Sequence, residues 1–167
     1  MKRSMMVWGA CLLLLAILPV MAQGGHRIGA GANYWKVIDD IDVRDIDDSG
    51  MAYYVSYQYR AQGPFALDLT LERLPDRFGN SAYAPQGYVL IGGTLYAGIG
   101  VGMIYTDGDF ADEPFYAIKA GLDIPFFFLR LDVSGHYRFN DFADLKDEDR
   151  KIGTDTIFLG AALRLTL

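Results

Sequence analysis

The 167-residue sequence is poor in cysteine and in basic residues. Its single cysteine, Cys11, lies in an apolar N-terminal stretch, so a chain without that stretch has no thiol. This excludes a disulfide scaffold, a cysteine-ligated metal site and a thiol nucleophile. Only 15 Lys and Arg stand against 21 Asp and Glu, which gives a net charge of −6. Nucleic acid binding requires clustered basic residues, so we expect no nucleic acid partner.

The apolar run near the N-terminus, residues 11–20, is short for a membrane-spanning helix. Lys2 and Arg3 precede it, and the permissive residues Val20 and Ala22 follow. This order predicts a cleavable signal peptide over residues 1–22, and therefore an exported protein. The remaining residues 23–167 are enough for one domain. Without Lys2 and Arg3, 13 basic residues stand against 21 acidic ones, a net charge of −8.

Most of the remaining sequence alternates between apolar and polar residues with a period of two. In the clearest segment, Tyr53 and Val55 share one face, whereas Gln58 and Arg60 share the other. Such alternation predicts β-strands, because successive side chains point to opposite sides. The alternating segments are residues 26–35, 51–61, 65–73, 115–124, 127–140 and 157–167. Residues 88–105 are long enough for two further strands of ambiguous facing, which brings the count to eight.

Residues 78–106 carry no charge and could be mistaken for a transmembrane helix. Five glycines lie between Gly92 and Gly102. Each glycine costs about 1 kcal/mol relative to alanine inside a helix. Strands are therefore favoured here.

The connections between the eight strands alternate in length. We expect long ones at residues 38–50, 75–87 and 141–155, one of medium length at 107–114, and short ones at 62–64, near 96–97 and at 125–126. This asymmetry is typical of transmembrane barrels. The sequence thus predicts an all-β fold, an eight-stranded antiparallel up-and-down transmembrane β-barrel. The first and last long connections are acidic; they contain Asp39, Asp40, Asp42, Asp45, Asp47 and Asp48, and Asp144, Asp147, Glu148 and Asp149.

The polar faces of the predicted strands must point into the barrel. A charged residue on the lipid face costs about 2–4 kcal/mol at the bilayer midplane, and unpaired buried charge is costly too. We therefore predict a lumenal charge network that fills a narrow interior. Its members are Arg60, Asp68, Glu72, Lys119, Asp123, Arg130, Asp132, His136, Arg138 and Arg164. A lipocalin-like soluble cup, apolar inside and charged outside, would show the same alternation and stays an alternative.

Three segments resemble the eight-stranded outer-membrane barrels of the OmpA/OmpX type, the outer membrane protein beta-barrel domain group. They are residues 95–106 (LYAGIGVGMIYT), 115–124 (FYAIKAGLDI) and 129–142 (LRLDVSGHYRFNDF). The resemblance implies location in the bacterial outer membrane, contact with outer-membrane lipid and handling by the barrel-assembly machinery. Such barrels usually end in Phe or Trp, whereas this chain ends in Leu167.

Few residues in this sequence suggest catalysis or the binding of a metal or cofactor. Asp132, Ser134 and His136 share one strand face and could suggest a hydrolase, but a lumenal hydrogen-bonding ladder with Arg130 and Arg138 explains them better. The Asp45-x-Asp47-x-Ser49-Gly50 segment partly fits a calcium loop, yet its twelfth position is Ser56 and not Glu. No glycine-rich loop precedes a helix, so we expect no nucleotide site and no cofactor.

Several aromatic residues lie near the ends of the predicted strands. An aromatic girdle at the membrane interface would explain Tyr34, Trp35, Tyr53, Tyr59, Tyr105 and Tyr137.

Three functions fit the sequence. The favoured one is a structural or surface-interaction barrel without enzymatic activity, in which acidic loops meet an unknown ligand. The alternatives are a narrow transport barrel for small or apolar solutes and a lipid-modifying outer-membrane enzyme.

Overall fold

The computed structural model describes residues 25–38, 49–77, 80–106, 108–144 and 151–167. They form ten strands: β1 (Gly25–Val37), β2 (Ser49–Arg60), β3 (Phe65–Arg77), β4 (Asn80–Gly92), β5 (Leu95–Gly102), β6 (Tyr105–Thr106), β7 (Asp109–Phe110), β8 (Phe115–Phe126), β9 (Leu129–Asp144) and β10 (Lys151–Thr166). Within these ranges, no helix is long and apolar enough to cross a membrane.

The eight long strands form one closed barrel. Neighbours pair antiparallel in the order β3-β2-β1-β10-β9-β8-β5-β4, and a further pairing of β3 with β4 closes the ring. The two-residue strands β6 and β7 make a small hairpin beside β4. Closure pairs the backbone groups that an open sheet edge would leave exposed. The predicted fold class, an eight-stranded antiparallel barrel, is confirmed.

The barrel has two distinct ends. We call the one where β1 begins and β10 ends the terminal end; its connections are the short turns 61–64, 93–94 and 127–128. The opposite end, the loop end, carries the connections 38–48, 78–79, 103–114 and 145–150. The predicted signal peptide lies outside the described residues, as do Asp45 and Asp47 of the segment that partly fits a calcium loop and most of the acidic loop side chains.

Several predicted connections are wrong in length or place. The expected long loop over residues 75–87 is strand on both sides of residues 78–79, and β9 and β10 extend into the expected loop 141–155. The short turns fall at 93–94 and 127–128, and not at 96–97 and 125–126. Pro85 lies within the expected loop but pairs with Leu71 of β3, and such pairing overrides local turn preference.

The alternation of side chains sets the polarity of the wall. On β3 and β9, even-numbered residues such as Asp68 and Asp132 are buried, whereas Leu69 and Val133 are exposed. Residues 88–105, whose facing was ambiguous in the sequence, follow the same pattern. Tyr88 is buried inside the barrel and Val89 lies on the outer wall. Exposed apolar residues cover the outer wall: Ile28, Val55, Leu69, Leu71, Val89, Ile99, Ile118, Leu159 and Leu163. A lipocalin-like cup has the opposite polarity, so that alternative is wrong.

Glycines on the inner wall make room for large tyrosines. A Cβ at Gly121 would lie 2.6 Å from the hydroxyl of Tyr96, and one at Gly100 would collide with the ring of Tyr88. Glycine in these strands therefore serves close packing across the lumen.

Two residues of the expected girdle are not on an exposed surface. Tyr34 and Tyr53 are exposed on the outer wall, but Trp35 is fully buried inside the barrel and Tyr59 is buried as well. Trp35 shares its face with Asn33 and Val37, so strand alternation, and not its position near the strand end, decides where its ring lies.

Candidate functional site

The ten residues of the predicted lumenal network all lie on inward-facing positions of the barrel. Eight of them are buried, and Arg60 and Arg130 are half-buried near the terminal end. The structure groups the charged ones into three sets at successive levels of the lumen. From the loop end they are the Glu72–Arg138 pair, a central cluster of four residues and a cluster at the terminal mouth.

An apolar layer fills the interior toward the loop end. It consists of Trp35, Val37, Ala52, Leu74, Ala82, Ala84, Ile104, Phe115 and Phe158, all buried. Ile104 belongs to the connection between β5 and β6, so this connection contributes to the layer. Charged groups below it are therefore separated from the loop end by packed hydrocarbon.

The Glu72–Arg138 pair lies against this layer and is fully buried. Arg138 Nη2 donates to a Glu72 carboxylate oxygen, and Asn33 Nδ2 donates to the other oxygen at 2.6 Å. The guanidinium carbon of Arg138 lies 4.0 Å from the centre of the Phe158 ring and 4.5 Å from that of Phe115. Paired charge, hydrogen bonds and aromatic faces together offset the loss of water.

The central cluster balances two carboxylates against two cations. Asp68 accepts from Arg164 at 3.0 Å and from Lys119 at 3.4 Å. Asp132 lies 3.5 Å from the same Arg164 and accepts from the hydroxyl of Tyr96 at 2.8 Å. These side chains come from five strands, so the cluster ties opposite walls of the barrel together.

The mouth cluster surrounds one carboxylate with three arginines. Asp123 is nearly fully buried; Arg27 Nη1 lies 2.6 Å and Arg130 Nε 2.7 Å from its oxygens. Arg60 Nη2 is farther away, at 3.9 Å, while Arg60 Nη1 donates to the carbonyl of Gly92 at 2.6 Å. The three arginine side chains are between 12% and 21% exposed, so water reaches this end of the lumen.

Asp132 and His136 contact other side chains of the barrel interior. Asp132 Oδ2 accepts from the hydroxyl of Tyr96 and lies near Arg164, and the His136 ring stacks on Phe158 at 4.4 Å between centres. Ser134 and His136 border a cavity of about 10 Å³ inside the barrel. That space holds about one water molecule and no acyl chain. The expected ladder is also different, since Arg130 bonds Asp123 and Arg138 bonds Glu72.

Several members of the interior network were not predicted from the sequence. Arg27 is the most consequential, because it bonds Asp123 although no residue of the segment 26–35 was predicted to belong to the network. The signal was available, since Arg27 and Asn33 lie on the face opposite Ile28. The other missed polar partners are Gln58, Gln86, Tyr88 and Tyr96.

Metal binding has no support from the described part of the chain, in which no group of three or more His, Cys, Asp or Glu side chains could hold an ion.

The outer wall carries a broad, open apolar concavity of about 1210 Å³. Ile28, Val55, Leu69, Val101 and Leu163 are among the residues that line it. In a bilayer, this surface would face lipid acyl chains.

Several solved outer-membrane barrels are similar in shape to this chain. Neisserial surface protein A (NspA) superposes with a TM-score of 0.63 at 13% identity, over 85% of this chain and 97% of that chain. The outer membrane protein AlkL in DMPC bilayers gives a TM-score of 0.54 at 14% identity, over 87% of this chain and 90% of that chain. The Yersinia pestis protein Ail gives 0.47 at 18% identity, over 86% and 100%.

No protein-family model matches the sequence, and no curated protein sequence matches it. At these low identities the similarity to NspA and AlkL shows the fold. The chain has the fold of the eight-stranded outer-membrane β-barrels, so the resemblance noted in the sequence is confirmed at the level of the fold. The expected location in the bacterial outer membrane agrees with this fold and with the apolar outer wall.

Proposed function

We propose that the protein is a small integral outer-membrane barrel with a plugged lumen, and that its acidic loops form a surface for interaction outside the cell. In this arrangement the terminal end faces the periplasm and the loop end faces the exterior. Lipid surrounds the outer wall, and the barrel-assembly machinery inserts the chain. NspA, which has a similar fold, is named a surface protein, and this supports a role at the cell surface.

The observation that carries the plugged lumen is the fully buried Glu72–Arg138 pair beneath a packed apolar layer. Trp35, Leu74 and Phe158 of that layer are fully buried. A continuous water path would have to pass both levels, and eight-stranded barrels leave an interior that side chains fill.

Conductance in planar bilayers tests the plug. We expect refolded protein to produce no discrete current steps under conditions in which a sixteen-stranded porin produces them. Stable steps from the unmodified chain would contradict the plug and favour the transport alternative.

The surface role depends on the orientation of the barrel. An epitope tag inserted between Arg44 and Asp45, in the acidic connection 38–48, should be labelled by antibody on intact cells. The same tag inserted after Gly63, in the 61–64 turn, should be labelled only after the cells are opened. Labelling of the Gly63 tag on intact cells would reverse the orientation and overturn the proposed contact surface.

We further propose that the protein has no lipid-modifying activity. The geometry around Ser134 and His136 supports this, since the adjoining cavity has room for about one water. Mass analysis of lipid A from cells expressing the protein or Ser134→Ala should give the same spectrum as cells lacking it. A modification lost specifically in Ser134→Ala would contradict the proposal.

A further inference from the structure

The described charged side chains inside the barrel balance at every level except the terminal mouth. Asp68, Asp132 and Glu72 are matched by Lys119, Arg164 and Arg138. At the mouth, Arg27, Arg60 and Arg130 share the single carboxylate of Asp123. The mouth cluster therefore carries a surplus of two positive charges.

Hydrogen-bond donors at the mouth are also left over. Arg27 Nε, Arg60 Nε and Arg60 Nη2 are buried atoms without a hydrogen-bond partner. Asp123 already accepts from Arg27 on one oxygen and from Arg130 on the other. Unused donors on buried charged groups are unfavourable, so a further acceptor would be stabilising here.

We propose that the terminal mouth of the barrel is a binding site for a phosphate group, held by the guanidinium groups of Arg27 and Arg60. A phosphate supplies the missing negative charge and several acceptor oxygens. The planar guanidinium group matches phosphate in geometry and charge. The side chains of Arg27 and Arg60 are 12% and 16% exposed, so a phosphate group can reach them from the periplasmic side.

An exposed aromatic turn beside the mouth favours a lipid headgroup over free phosphate as the source. Phe127 and Phe128 form the turn between β8 and β9, and Arg130 follows two residues later. Phe127 is 91% exposed and has a φ of 55°, a left-handed conformation that costs a non-glycine residue about 1–2 kcal/mol. In the membrane, these rings would lie among the lipids of the adjoining leaflet.

Titration with inorganic phosphate tests the site. The full chain without its signal peptide is refolded in a non-ionic detergent, and the arginine Nε–H resonances are followed by NMR at constant ionic strength. We expect saturable shifts at Arg27 and Arg60. Arg60→Gln should weaken binding about tenfold, whereas Arg73→Gln, an exposed arginine toward the loop end of β3, should not change it.

Each variant is first checked for folding by its compact mobility in unboiled SDS. Shifts that do not saturate, or that weaken equally in Arg73→Gln, would show only a general response to charge and would overturn the site. Lipid nanodiscs then separate the sources. Loss of the phosphate response in discs that contain phosphatidylglycerol identifies the headgroup as the occupant, and an unchanged response identifies free phosphate.

Discussion

The two ends of the barrel interior hold their charged groups in opposite ways. Toward the loop end, Glu72 and Arg138 form a one-to-one pair that is fully buried under an apolar layer. At the terminal mouth, three partly exposed arginines share Asp123. Charge in a dry environment must be matched, because an unpaired ion there loses its hydration without compensation. Where water reaches, a surplus is tolerated.

The difference in access to water explains why the same strand alternation produces a matched ion pair toward the loop end and a cluster with surplus charge at the terminal mouth. The strands that supply Glu72 and Asp123 alternate in the same way, so both carboxylates point inward. Their neighbours then decide their roles. The loop-end pair fixes the walls of the barrel, whereas the mouth cluster retains charge and donors that it can offer to a ligand.

The largest loss of stability should come from breaking the Glu72–Arg138 pair. Glu72→Gln leaves Arg138 buried without a countercharge, and we expect a loss of about 3–5 kcal/mol in the free energy of unfolding. Urea titration of protein refolded into lipid vesicles measures it. The double variant Glu72→Gln/Arg138→Met should recover most of the loss, since no charge then remains unpaired.

Arg73→Gln is the matched control for this variant. Arg73 follows Glu72 on the same strand but is exposed, so we expect a change within about 0.5 kcal/mol. Equal losses for the two variants would show that burial does not distinguish these positions.

The next largest loss of stability should come from placing a charge on the outer wall of the barrel. Leu69→Arg places a charge on the lipid face of β3 and should cost about 2–4 kcal/mol. The same vesicle titration measures it, and Leu69→Met, which keeps the side chain apolar, should remain close to the unmodified protein. A harmless Leu69→Arg would mean that this face does not contact lipid.

A smaller and salt-dependent effect is expected at the mouth. Asp123→Asn leaves three arginines facing one another and should cost about 1–3 kcal/mol at low ionic strength. At about 1 M salt the screening length falls to about 3 Å, so much of this loss should disappear. The loss in Glu72→Gln should not change with salt. Identical salt responses for both variants would remove the proposed difference between the two ends.

The smallest effect should come from Arg60→Gln. Arg60 is half-buried and 3.9 Å from Asp123, and two other arginines still neutralise that carboxylate. We expect a change below about 1 kcal/mol in the unfolding titration. A loss as large as that of Glu72→Gln would show that the mouth cluster is as well shielded from water as the Glu72–Arg138 pair.

The facing of the strands could be predicted because charge and hydropathy alternate along each one. Leu69 and Asp68, or Val133 and Asp132, differ enough in transfer energy to define the two sides. The strand limits were harder to predict, since the turn-forming residue Pro85 lies within β4, where it pairs with Leu71 of β3.

The pairing across the lumen could not be predicted from local pattern. Asp68 meets Lys119 and Arg164, which are 51 and 96 residues away in sequence. Such contacts depend on strand register and on the stagger of the closed barrel. The same dependence explains why Arg130 and Arg138, which share a face of β9, bond to Asp123 and Glu72 on other strands.

The most direct test of a closed membrane barrel is the heat-modifiable mobility of residues 23–167 after refolding in detergent. We expect a compact, fast-migrating band in unboiled SDS that shifts on boiling, together with a β-type circular dichroism spectrum. A chain that folds as a monomer without detergent, and whose mobility boiling does not change, would contradict it.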